Sequence, residues 1–217
     1  DHKPVFDNDK GPNTGGMGAY TPTPLVTDKV LEQVDREVFK PVLDGMKKDG
    51  ISFVGIVYAG LMIVDDRASI VEFNARFGDP ETQVVLPRLE TDLLEIFVAM
   101  NEKRLKDIDI KWNDDAVVNV VVSSEGYPGS YHKGDVITGV EEFDGREDVY
   151  VVHAGTKQDE SGQLITNGGR VLGVVARHAE LEDAVENAYE GVTQIEFEGM
   201  HFRTDIAAKA FREFLSK

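Results

Sequence analysis

Between residues 69 and 81 the chain reads SIVEFNARFGDPE. Period-two alternation puts Ile70, Glu72, Asn74 and Arg76 on one strand face and Val71, Phe73, Ala75 and Phe77 on the other. The apolar run FVGIVYAGLMIV, 53–64, predicts a buried strand, and 65–67 the turn that folds it back as a hairpin, the core of the first half. Helical spacing begins at Thr27, with Val30, Leu31, Val34, Val38 and Phe39 on one stripe. It continues through Leu43 and Met46 toward Gly50, and Pro41 marks a kink or restart. Two further helices are expected over 79–89 and 91–101, the second with Leu93, Leu94, Phe97 and Val98 as its apolar side.

Residues 1–24 are dense in Gly, Pro, Asp and Asn and predict a long loop, a length that usually carries a function. The charged stretch EKRLKDIDIKWND, 102–114, reads as a link between two domains and holds the only tryptophan, Trp112. The second half is strand-rich, with strands expected at 116–124 and near 135–140, 149–154, 163–166 and 170–177. One helix interrupts them over 180–195, with Leu181, Ala184, Val185, Ala188, Tyr189 and Val192 at helical spacing, and a last helix covers 205–215. No internal repeat or low-complexity tract is present.

The alternating strand carries the most chemistry. At roughly 3.3 Å per residue, Glu72 and Asn74 lie about 6.6 Å apart at Cα, within reach of one hard cation at about 2.1 Å. Arg76 could then meet an anion held by that ion, since a guanidinium fork suits phosphate and carboxylate oxygens. The plainer reading is a strand with one wet face. Asp79 and Pro80 suit a helix start, as cap and first residue, which gives Asp79 a structural role as well. The string GPNTGGMGAY, 11–20, offers amides free of side chains, either as an anion-cradling nest or as a plain connector. It lacks the Walker A spacing. In TNGGRVLGVVA, 166–176, Asn167 and Gly168 suit a tight hairpin turn, with Arg170 reaching toward a phosphate as the other reading.

With 217 residues the chain can form one large domain or two modest ones. A net charge of −17 argues against nucleic-acid and anionic-membrane partners while leaving a small phosphorylated substrate open. The absence of cysteine excludes disulfides, thiolate nucleophiles and zinc–sulfur sites. The five histidines lack metal-ligand spacing. No transmembrane run or signal peptide is legible, and the start on Asp1 inside a polar segment reads as a fragment.

The strings DHK, GPNTGGMGAY, VEFNARFGDPE, SEGYPGSY, HAGT, NGGRVLGV and FEGMHFR, in that order, resemble the C-terminal half of the phosphoribosylamine–glycine ligase family, over essentially the whole chain. The resemblance implies an α+β fold: residues 1–110 as the C-terminal part of an ATP-grasp domain, an antiparallel sheet with helices, and 111–217 as a smaller strand-rich C-terminal domain. It implies ligation of glycine to 5-phosphoribosylamine with ATP, through glycyl phosphate, in cytoplasmic purine biosynthesis. Glu72 and Asn74 would hold Mg2+ or Mn2+, and Arg76 would act on the transferring phosphoryl group. Asn13, Thr14, Gly15, Gly16, Arg76, Asp79 and Glu81 would line the substrate site. Two departures stand out. The strand before Glu72 offers Tyr58 where many ATP-grasp enzymes carry another acidic ligand, and the family's N-terminal and ATP-clamping parts precede Asp1, so the fragment alone is expected to be inactive. Another ATP-grasp ligase or carboxylase, or a noncatalytic binding domain on the same fold, are the alternatives.

Overall fold

Residues 1–214 are described by the computed structural model, so Leu215 at the expected end of the last helix lies outside them. The glycine-rich start is not one long loop. Strands β1 (Pro4–Phe6) and β2 (Lys10–Asn13) pair antiparallel around a 3-10 turn, Asp7–Asp9. Asn8 and Asp9 take left-handed backbone there (φ 58° and 55°), which short polar side chains tolerate best after glycine. Strand β3 (Gly18–Thr21) pairs with residues 117–120, about a hundred positions away, and a local reading of turn-forming residues has no access to that partner.

Helix α1 (Asp28–Val34) begins with Thr27 Oγ1 accepting from the Val30 amide, passes through a π-turn (Asp35–Phe39) and continues as α2 (Lys40–Lys48). The wide turn sits just before Pro41, where a missing N–H disturbs the regular ladder. Strands β4 (Tyr58–Val64) and β5 (Arg67–Asn74) form the expected hairpin, and Ala59, Leu61, Ile63 and Ala68 pack on Val30, Val34 and Val38. The first strand is shorter than 53–64: Gly55 has φ 156°, and Ile51 and Val54 are exposed. The helix expected over 79–89 is reduced to α3 (Thr82–Val85) and a 3-10 turn, Leu86–Arg88. Helix α4 (Leu93–Asn101) is capped by Asp92, whose Oδ1 accepts from Leu94 N at 2.7 Å and Glu95 N at 3.3 Å.

Strand β6 (Ala116–Ser124) is buried along its whole length. It is followed by β7 (Val149–His153), β8 (Thr156–Gln158), β9 (Leu164–Thr166) and β10 (Arg170–His178). Helix α5 (Leu181–Val192), β11 (Met200–His201) and α6 (Ala208–Phe214) complete the chain. The main sheet is antiparallel in the order β11-β6-β10-β7, with β3 also on β6. Alternation along β6 sends Val118, Val120 and Val122 into the larger core with Leu172, Val174 and α5 residues Ala184, Ala188 and Val192, while Val117 packs with Ala19, Val84 and Val175 on the other face. Near 135–140 no regular strand forms: Val136 and Thr138 make isolated bridges to Ile165 and Glu196. The chain divides into two compact units, one of residues 1–22, 79–89 and 112–217, the other of 23–78 and 90–111.

Candidate functional site

In the unit of residues 23–78 and 90–111, β4 and β5 pair Tyr58 with Asn74, Ala59 with Phe73 and Gly60 with Glu72, and then Leu61 with Ile70. Val71 is therefore the extra residue of a β-bulge, and strict alternation fails there. Leu61 belongs to the core-facing set of β4, so its partner Ile70 lies on that side. Glu72 and Asn74, opposite Gly60 and Tyr58, lie on the other. The expected grouping of Ile70 with Glu72 and Asn74 is corrected accordingly, while Glu72 and Asn74 do share a face. The face read as greasy is open at Val71 (65% exposed) and Phe73 (43%).

Glycine at 60 gives Glu72 its room: a Cβ there would stand 3.0 Å from Glu72 Cγ. Among the described residues neither the Glu72 nor the Asn74 side chain has a hydrogen-bond or ion-pair partner. No group of three or more His, Cys, Asp or Glu that could hold a metal occurs among them either. A carboxylate and an amide oxygen, both hard and both uncommitted, fit Mg2+, which takes one or two protein ligands and completes its shell with water and phosphate oxygens. Arg76 lies past the end of β5 and donates through Nη1 to the Phe77 carbonyl at 2.8 Å, one of its five donors.

The other unit brings together Thr14, Gly15, Gly16, Asp79 and Glu81. The nest reading of the glycine string does not hold, because each amide of the turn already has an internal acceptor. Thr14 N donates to Lys3 O (2.8 Å), Gly15 N to Tyr127 Oη (2.9 Å), Gly16 N to Thr14 Oγ1 (2.9 Å) and Met17 N to His2 O (2.8 Å). Asn13 is exposed at the end of β2. Lys3 Nζ lies 3.4 Å from Gly15 O and 3.9 Å from Glu81 Oε1.

Asp79 does not cap a helix. Its Oδ1 accepts from Gln83 Nε2 at 3.1 Å and its Oδ2 from Arg170 Nη2 at 3.0 Å, while Arg170 Nη1 donates to the Asp79 carbonyl at 3.0 Å. Arg170 thus meets a carboxylate of its own chain. Asn167 and Gly168 do not form a hairpin turn, since β9 and β10 belong to different sheets. Tyr127, missed as a single residue, stood inside the quoted string SEGYPGSY; it also borders an open groove of about 690 Å³ with Phe6, Pro12, Met200 and His201.

Sequence reading also missed the clamp around Arg203, which is fully buried. Its guanidinium donates to Asp205 (2.7 and 2.8 Å), Asp9 (3.1 and 3.2 Å) and the Pro4 carbonyl (3.0 Å). Asp7 accepts from Thr204 N at 2.8 Å and from its hydroxyl, and Asn8 N donates to Asp205. Burial pushes the Asp205 carboxyl upward, but the Arg203 guanidinium and the Asn8 amide outweigh it and hold the group down at about 2. Asp9 is likewise lowered, by Lys209 first and then, against a smaller effect of burial, by Arg203.

Comparison with known proteins identifies the family. Residues 1–82 match the phosphoribosylglycinamide synthetase ATP-grasp (A) domain, and residues 117–209 match the C domain of the same synthetase. A phosphoribosylamine–glycine ligase from Caldanaerobacter subterraneus subsp. tengcongensis is 46% identical over 208 residues, covering 96% of this chain and 49% of that protein. The crystal structure of the phosphoribosylamine–glycine ligase from Thermotoga maritima superposes with a TM-score of 0.83 at 33% identity, over 95% of this chain and 50% of that one. The biotin carboxylase domain of the Hydrogenobacter thermophilus 2-oxoglutarate carboxylase, at 17% identity and a TM-score of 0.61 over 93% of this chain and 42% of that one, shares the fold alone. The chain spans about half the length of the curated relatives it matches. It belongs to the phosphoribosylglycinamide synthetase family of the ATP-grasp superfamily, as the C-terminal half, with part of the A domain and the C domain.

Proposed function

We propose that the protein carrying this chain joins glycine to 5-phosphoribosylamine, with ATP converted to ADP and phosphate, through a glycyl phosphate intermediate. The observation that carries the reading is the pair Glu72 and Asn74, uncommitted on one strand face opposite a glycine, in a chain of this family. Those two side chains would hold Mg2+ or Mn2+, which when bound neutralises triphosphate charge. Arg76 would leave the Phe77 carbonyl to place its fork on the phosphoryl group as it passes from ATP to the glycine carboxylate. Asn13, Thr14, Gly15, Gly16, Asp79 and Glu81 would line the site for glycine and phosphoribosylamine. Asp79, engaged on both oxygens, would shape that site, and Asn13 would offer it an exposed amide.

Residues 1–110 are the ATP-grasp contribution in this proposal and 111–217 the C-terminal domain. The remaining half of the ligase is the partner the reaction requires, so the chain alone is inactive. A cytoplasmic setting and small-molecule partners, without nucleic acid, complete it. Among the described residues no helix is long and apolar enough to cross a membrane.

The test uses the ligase in which this chain is joined to its preceding half. With glycine, phosphoribosylamine and ATP it releases ADP, and Glu72→Ala or Asn74→Ala each lowers turnover at least about a hundredfold with circular dichroism unchanged. Undiminished turnover in either variant refutes the metal assignment. ADP release that depends on bicarbonate instead of glycine refutes the ligase reading.

A further inference from the structure

Five of the strings that carry the family resemblance meet at one place in the unit formed by residues 1–22, 79–89 and 112–217, and they meet by contact. Arg170, from NGGR, reaches three backbone or side-chain oxygens of two other strings: the Asp79 carbonyl, Asp79 Oδ2 and, at 3.5 Å, the Gly16 carbonyl. Tyr127, from SEGYPGSY, accepts the Gly15 amide. The glycines between them are spaces for these side chains. A Cβ on Gly15 would stand 3.0 Å from Arg170 Cζ and 3.2 Å from Tyr127 Oη, and one on Gly169 would stand 2.2 Å from Tyr127 Cδ2. Gly168 lies against Gly155 of HAGT, where a Cβ would meet the Gly155 Cα at 2.8 Å. Gly16 makes room for Pro80, at 2.3 Å from its Cδ, and Asn119 Nδ2 donates to the Pro80 carbonyl at 3.4 Å.

We infer that Arg170 and Tyr127 are positioning residues that lock the Gly15–Gly16 turn and the Asp79–Glu81 turn into one register. The inference rests on the ligase reading, in which both turns line the site for glycine and phosphoribosylamine. Arg170 engages its forked donors on Asp79 and Gly16, so it acts through those residues and not on a ligand directly. Tyr127 supplies the acceptor that water would otherwise give the Gly15 amide, and its ring is seated by the missing side chain of Gly169. The metal-holding residues Glu72 and Asn74 belong to the other compact unit. A loosened lock should therefore weaken use of the ligated substrates while leaving the handling of ATP intact, a split that general loss of stability does not produce.

The experiment uses the same full-length ligase, with Arg170→Met, Arg170→Lys and Tyr127→Phe beside Glu72→Ala. Arg170→Met is expected to raise KM for glycine or phosphoribosylamine about tenfold, equivalent to about 1.4 kcal/mol, with KM for ATP and the melting temperature held. Arg170→Lys, which keeps a charge for Asp79 Oδ2 but lacks the fork, is expected to fall between Arg170→Met and the unaltered enzyme. Tyr127→Phe is expected to speed hydrogen exchange at the Gly15 amide, a readout that needs no turnover. Unchanged constants in Arg170→Met overturn the positioning role. So does an equal rise in the KM for ATP accompanied by a fallen melting temperature, or unaltered Gly15 exchange in Tyr127→Phe. If Glu72→Ala is inactive and Arg170→Met is silent, positioning alone fails. If Glu72→Ala retains full turnover, the metal assignment under the ligase reading fails, and Gly15 exchange still decides whether Tyr127 holds the turn.

Discussion

Replacing Arg203 by methionine keeps the length and apolar bulk of the side chain and removes a buried guanidinium with five hydrogen bonds. Breaking one side of a buried charge cluster costs roughly 3–5 kcal/mol, because the abandoned partners stay poorly solvated. The two abandoned carboxylates differ. Asp9 keeps Lys209 and is 38% exposed, so water and the lysine compensate it, whereas Asp205 is 18% exposed. The lower end, about 3 kcal/mol, is therefore expected. At about 2–4 °C per kcal/mol for a chain of this size, the melting temperature at pH 7 should fall by about 6–12 °C. The pH dependence sharpens the test. Asp205 is depressed from 3.8 to about 2, so its contribution is fully present above 3.8 and is lost as pH falls through about 2. Without Arg203 its pKa returns upward, and the stability gap between the two proteins should narrow as pH falls below about 4. Thermal unfolding followed by circular dichroism from pH 7 to pH 2.5 measures both. A gap under about 1 kcal/mol at pH 7, or one that stays constant down to pH 2.5, refutes the clamp as described.

Two simpler perturbations probe the scaffold. Leu172→Ala, at a position 1% exposed in the main core, should cost about 2–5 kcal/mol in urea unfolding, and a loss below about 1 kcal/mol would contradict tight packing there. Asp92→Ala removes an acceptor for two amides of α4 and should cost about 1 kcal/mol, with an unchanged midpoint counting against the cap.

Helix α5 was legible because its apolar spacing is local and its small residues, Ala184 and Ala188, fall on the buried stripe. The long strands β6 and β10 were legible for the same reason: their apolar runs are continuous. What escaped depends on partners far along the chain. β3 reads as turn-forming sequence until β6 lies beside it, and the amides of the glycine string look free until Lys3, His2 and Tyr127 supply acceptors. The bulge at Val71 changes a face assignment without changing a single residue type, so periodicity cannot detect it. Glu72 and Asn74 survived this error because they lie on the same side of the irregularity. Arg203 stands inside the string FEGMHFR, but its buried role was illegible because a buried arginine looks, in sequence, like any surface charge.

The ties from Asp7, Asn8 and Asp9 to residues 203–209 span close to two hundred positions, and they have a consequence during synthesis. A ribosome adding roughly 5–20 residues per second leaves the first segment waiting on the order of 10–40 s for those partners. Through that interval Val5, buried in the finished protein, stays open to solvent and to other nascent chains, whereas Ala19 meets Val84 and Val117 about halfway through. Residues 4–9 are thus among the last of this chain to find their place, and holdase chaperones would find their binding surface there.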